Sequence, residues 1–155
     1  MLSTSSENRA ADNAAAWADS IETIYEAWQF CQDETMEGRD ISVEAKRVLR
    51  EYEYDGNNKN HVLEAIEQEM QESILSLEVR SGWHSPGGYD GPEEFMLLLS
   101  TGGPALRLIG DLDQHGAPRR CWLEHQDWFK PWTEYHGGST EALEWFAGLF
   151  YYGEG

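Results

Sequence analysis

The chain has 155 residues, with 29 Asp and Glu against 11 Lys and Arg, and carries a formal net charge of −18 at pH 7. Nucleic-acid binding runs through neutralised phosphates and the cytoplasmic leaflet is itself anionic, so this charge excludes direct contact with DNA, RNA or a membrane surface and favours basic partners. With 40% hydrophobic residues, seven Trp, seven Tyr and five Phe, the composition belongs to a folded domain rather than to an acidic disordered tail.

The opening MLSTSSENRAADN has no basic region followed by an apolar run, and no run of about 18 apolar residues occurs anywhere. Neither signal peptide nor membrane span is expected, which predicts a soluble protein of the cytoplasm. Residues 1–11 are small and polar and read as a flexible end. Residues 12–155 read as a single α+β domain.

Trp17, Ile21, Ile24, Trp28 and Cys31 follow spacings of 4, 3, 4 and 3, which predicts an apolar stripe on a helix over residues 11–33. Asp12, Asp19, Glu22, Glu26 and Asp33 fall within an arc of roughly 80° on the other side, at about 100° per residue. Like charges at i,i+3 and i,i+4 repel by a few tenths of a kcal/mol per pair, so local stability does not favour such a row. Phe30 falls on the same acidic side and is expected to be exposed there.

The turn-like stretch 34–40 leads to a second amphipathic helix carrying Ile41, Ala45, Val48, Leu49 and Tyr52 inward. Its basic cluster, Lys46, Arg47 and Arg50, is expected to pair with Glu44, Glu51 or the first helix rather than with phosphate. After the DGNNKN turn, a third helix directs Val62, Leu63, Ile66, Met70 and Ile74 inward and Glu64, Glu67 and Glu72 outward. From about Leu75 the period changes to short apolar runs between strong turn signals. Strands are expected toward the end of 73–83, over 95–100, 105–112 and 119–127, with a short edge strand at 131–136. Ser139 or Thr140 caps a last helix bearing Ala142, Leu143, Phe146, Ala147 and Phe150, which Gly153 is placed to stop. The predicted architecture is therefore α+β: three N-terminal helices, an antiparallel sheet of about four strands and a C-terminal helix.

Charge is uneven along the chain. Residues 1–80 hold 18 acids and 7 bases, net −11, and residues 81–155 hold 11 acids and 4 bases, net −7. The helical half is therefore where an electrostatic interface is expected. Solubility needs a net charge of magnitude only about 2 to 8, so −18 asks for another cause. Carboxylates spaced about 5 to 6 Å along a helix are placed much as phosphates are along a strand.

Other chemistry is weakly signalled. Cys31 and Cys121 stand far apart without a CxxC and read as reduced core thiols. Asp111, Asp113, His115, His125, Asp127 and His136 could supply zinc or manganese ligands, but no HxH, HExxH or CxxC spacing orders them, and turn chemistry explains the GDLDQHG segment. Ser85, Ser100 and Thr101 lack a GxSxG elbow, and STGGP lacks the Lys of a phosphate loop. No catalytic residue, metal site or cofactor is predicted. Among the aromatics, Trp17, Trp28 and Trp145 read as core. Trp83, Trp122, Trp128, Trp132, Tyr89 and Tyr135 crowd the sheet, and Trp128 and Trp132 are the ones expected to be exposed.

The strings VRSGWHSPG, EEFMLLLSTGGPALRLIGDLDQHG, WLEHQDWFKPWTEYHG and FAGLFYYGEG resemble a family of small acidic proteins met in phages, prophages and conjugative plasmids. The resemblance covers residues 76–154, implies a mobile-element setting and carries no catalytic residue over. In charge and size the chain is also similar to DNA-mimic inhibitors of restriction enzymes and CRISPR complexes, without residue correspondence.

The resulting expectation is a mobile-element inhibitor, of the anti-restriction or anti-CRISPR kind, whose partner is a basic nucleic-acid-binding host protein or complex. Asp12, Asp19, Glu22, Glu26, Phe30, Asp33, Trp128 and Trp132 would form the binding surface. A rival reading is a small metal-dependent enzyme or ligand-binding protein using the loop after Trp83, with His84, Asp90, His115 and His125 as polar groups. A third is a structural virion or assembly protein.

Overall fold

The computed structural model describes residues 5–88, 91–102 and 104–153, with side chains from Arg9 onward. Tyr89 and Asp90, and with Asp90 part of the rival ligand site, lie outside the described residues.

The elements in chain order are α1 (Ser5–Gln32), a single 3-10 turn (Gly38–Asp40), α2 (Val43–Glu51), α3 (Lys59–Glu72), the strands β1 (Ser76–Arg80), β2 (Glu94–Ser100), β3 (Ala105–Leu112), β4 (Pro118–Gln126) and β5 (Thr133–Tyr135), and α4 (Thr140–Ala147). The five strands form one antiparallel meander in sequence order. The fold class is α+β, as the change of hydrophobic period from helical to alternating predicts.

Two boundaries differ from expectation. Helix α1 starts at Ser5 rather than near residue 11, and Ala10 is already fully buried. Helix α4 ends at Ala147 with Gly148 as its C-cap, not at Gly153. The chain leaves the helix early so that Tyr152 can pack against Phe95, ring centroids 4.8 Å apart, while its hydroxyl donates to the Ala147 carbonyl at 2.7 Å. That hydrogen bond adds a shorter donor to a helix-end carbonyl that the Phe150 N–H reaches only at 3.4 Å.

Strict alternation along β2 and β3 gives the sheet a buried and a half-buried face. Phe95, Leu97, Leu99, Leu106, Leu108, Leu112, Cys121 and Leu123 point into one core with Ala14, Ala18 and Ile21 of α1 and Ala142, Leu143, Phe146 and Ala147 of α4. The alanines at four-residue spacing let α1 approach the strands closely. Each fully buried Leu or Phe contributes about 1.5–3 kcal/mol through area removed from water.

The opposite face of the sheet is closed by its own side chains. Arg80 pairs with Glu94, which lies directly across from it on β2. Arg107 holds Glu124 across β3 and β4 at 2.6 Å, with its guanidinium 4.1 Å from the Trp132 ring centroid. Arg120 reaches Asp111, its partner across the same strands, at 3.0 Å, and Arg119 approaches Asp111 from 4.0 Å. Four arginines are thus committed to acids of the sheet.

Candidate functional site

Helix α1 carries the predicted acidic row, and the row divides in two. Asp12, Asp19 and Glu22 are exposed, and among the described residues no Lys, Arg or His forms an ion pair with them. They lie on the helix side turned away from Ala14, Ala18 and Ile21, where the periodicity places them.

The C-terminal part of the row is used internally. The Glu26 carboxylate accepts from the Ser42 backbone N–H at 2.8 Å and from its hydroxyl at 2.6 Å. Ser42 is in turn the N-cap of α2, accepting from the Ala45 N–H. Phe30 is buried, contrary to the expectation of an exposed ring. It meets Tyr54 edge-on with centroids 5.3 Å apart, and the Lys59 ammonium sits 4.1 Å from its centroid. The same ammonium donates to the Asp33 and Met36 carbonyls at 2.8 and 3.0 Å, so the start of α3 is tied over the end of α1. That second layer, invisible to a single-helix projection, removes Phe30 from the acidic face. Asp33 remains exposed but folds back on Thr35, whose hydroxyl and backbone N–H donate to it and hold its pKa below the ordinary carboxylate value.

Packing of α2 and α3 against α1 adds acids that lie outside the α1 row. A cleft of about 340 Å³ is lined by Asp19 and Thr23 of α1, Glu44, Arg47 and Glu51 of α2, and Glu69 of α3. Four carboxylates there face one guanidinium. Contrary to expectation, none of Lys46, Arg47 and Arg50 forms an ion pair among the described residues. Glu69 accepts from the Tyr52 hydroxyl at 2.8 Å, and burial with that bond raises the phenol pKa. The i,i+7 spacing of Glu44 and Glu51 was readable, since it sets both on one side of α2. Only the packing shows that this side meets Asp19.

Trp128 is exposed as expected, whereas Trp132 is half-buried beneath Arg107. Three further rings are exposed: Phe129, 99% exposed, Tyr151 and Trp83. Trp17, Trp28 and Trp145 border the core, with Trp28 donating to Glu67 and Tyr25 to Glu141. Burial and the Glu141 bond push the Tyr25 phenol up to about 12.

The histidines of the rival reading do not converge. His115 sits in the β3–β4 turn, His125 lies near the far end of β4, and exposed His84 follows β1. Among the described residues no group of three or more His, Cys, Asp or Glu side chains is disposed to hold a metal ion. Asp113 instead closes its own turn, accepting from the His115 and Ala117 N–H groups at 2.8 and 3.0 Å. Both cysteines are buried free thiols. No described helix is long and apolar enough to cross a membrane.

No family model, no curated protein and no solved structure matches the chain.

Proposed function

We propose that this protein is a mobile-element accessory protein that acts in the host cytoplasm, occupying the basic nucleic-acid-binding groove of a host defence complex of the restriction or CRISPR type. The carboxylates of α1, α2 and α3 stand where phosphates would lie. Asp12, Asp19 and Glu22 form the row, and Glu44, Glu51 and Glu69 widen it across the α1–α2 cleft. Glu26 and Asp33 hold the scaffold, and Phe30 has no part in the contact.

One observation carries the reading: sheet arginines are committed to sheet acids, while the exposed acids of α1 have no basic partner among the described residues. A field left unneutralised on one side of a small protein steers it toward cationic surfaces. Each phosphate-like contact displaces the partner's counterions, so binding should weaken steeply with salt.

The test is affinity capture from the natural host at low and high ionic strength, with wild-type protein and with Asp19→Asn/Glu22→Gln/Glu51→Gln. Wild type should retain nucleic-acid-binding proteins at low salt and release them at high salt. The triple variant should lose capture while remaining folded. Captured proteins that do not handle nucleic acid, or capture indifferent to salt, would overturn the reading.

A further inference from the structure

Residues 127–130 form a four-residue turn closed by the Lys130 N–H donating to the Asp127 carbonyl at 3.1 Å. The Gln126 side chain braces it from outside, donating to the Lys130 carbonyl at 2.8 Å. Phe129 occupies the third position with φ of +62°. A turn of this shape favours glycine there, because a Cβ at positive φ crowds the backbone. Phe129 is also 99% exposed and Trp128 beside it 64% exposed. The fold therefore carries backbone strain and exposed apolar area at one point and recovers no burial from either. The combination of strain with unburied aromatic rings is characteristic of a binding element.

The turn is placed beside the acidic helix. Gln126 ends β4 opposite Ala105 at the start of β3, and Ser100 ends β2 at the same edge of the sheet. The Asn13 side-chain amide donates to the Ser100 hydroxyl at 3.0 Å, bringing the Asp12 segment of α1 to that edge. One end of the molecule thus offers the Asp12 end of the carboxylate row and two aromatic rings. The rings are 6.1 Å apart and tilted by 49°, so neither covers the other's face.

We infer that the Trp128–Phe129 turn enters the base-stacking pocket of a protein that binds single-stranded nucleic acid, as a substitute for unstacked bases. This rests on the reading proposed above and narrows its partner class. A duplex-binding groove meets phosphates and base edges, whereas single-strand binders combine a basic track with apolar or aromatic platforms for base faces. Insertion into lipid is disfavoured, because an anionic leaflet repels a chain of net charge −18.

The experiment compares wild type with Trp128→Ala/Phe129→Gly and with Phe129→Gly alone. Both variants relieve the turn, and a melting temperature no lower than wild type in each shows that lost binding does not reflect misfolding. Partners captured by wild type are purified and titrated with each protein. The complex is then challenged with oligo(dT), with an abasic strand of equal length and with duplex DNA. The double variant should bind at least about tenfold more weakly. Oligo(dT) should displace wild type at roughly tenfold lower concentration than the abasic strand, because only oligo(dT) occupies the base pocket. Equal binding by the double variant to a salt-sensitive nucleic-acid-binding partner overturns this inference and leaves the acidic-surface reading standing. Equal displacement by abasic strand or duplex does the same. Turn-dependent binding to phosphatidylcholine/phosphatidylserine vesicles, or turn-dependent self-association in sedimentation, also overturns it. Partners that handle no nucleic acid and ignore salt overturn both.

Discussion

The Glu26 carboxylate takes both the backbone N–H and the hydroxyl of Ser42, and the same hydroxyl accepts from the Ala45 N–H. One residue of the acidic row therefore joins α1 to the start of α2, and its charge also complements the positive end of the α2 dipole. Replacing Glu26 with Ala should cost about 1.5–3 kcal/mol, the range for losing a hydrogen bond to a charged group. Asp19→Asn and Glu22→Gln should stay within about 0.5 kcal/mol of wild type, because nothing in the fold depends on them. Urea titration of the three variants separates scaffold from surface. A silent Glu26→Ala would show the bridge to be incidental.

Gly110 sits in the middle of β3 between Phe95 and Cys121. A Cβ there would lie 2.1 Å from the Arg120 carbonyl oxygen and 2.8 Å from both the Cys121 Cβ and the Phe95 ring. The carbonyl belongs to a paired strand and has no free direction in which to move. Gly110→Ala should destabilise by about 3 kcal/mol, the upper end for overpacking, read as a lower melting temperature. An unchanged melting temperature would mean that the β3–β4 pairing is looser than described.

Asp113 is held below its ordinary pKa by the Ala117 and His115 backbone N–H groups. A lowered folded pKa means that the carboxylate stabilises the fold above its unfolded value of 3.8 and that this contribution fades as pH falls through the lower folded value. Asp113→Ala should be less stable than wild type near neutrality, and the gap should close as pH falls below the ordinary carboxylate value of 3.8. Chemical denaturation from neutrality to below that value checks the sign. A gap that widened on acidification would contradict it.

Burial pushes the Cys31 thiol up to about 11 and the Cys121 thiol up to about 12. Iodoacetamide at about pH 8 should leave both unmodified in the native protein and label both in urea, as followed by mass spectrometry, because the thiolate is the reactive form. The buried neutral thiols also predict stability falling as pH rises from about 9 toward about 11, where the unfolded chain ionises first. Native-state labelling as fast as in urea would show that these positions open readily.

Much of the fold was legible because period reports environment directly. Alternation over 95–100 and 105–112 needs only a sheet with one covered face, and β2 and β3 lie there. The 3–4 spacing of Val62, Ile66 and Met70 needs only a partner for one helix side. Gly153 does not stop α4, because the local glycine signal competes with a distant one, the fit of Tyr152 onto Phe95. The exposure of Trp128 is readable from its polar surroundings in the sequence. Phe129 is not, because its meaning lies in a backbone angle that hydropathy does not encode.

By itself the chain determined its net charge, the order and kind of its elements and the alignment of Asp12, Asp19 and Glu22 along α1, all of which depend on spacing within one segment. Tertiary packing decided which of the aligned groups still face water. Glu26 was drawn to Ser42, Phe30 was roofed by Lys59 and Tyr54, and Glu44, Glu51 and Glu69 were brought beside Asp19. A helix projection describes a cylinder in isolation. Whether one side of that cylinder is surface or interior depends on chain that arrives from elsewhere in the sequence.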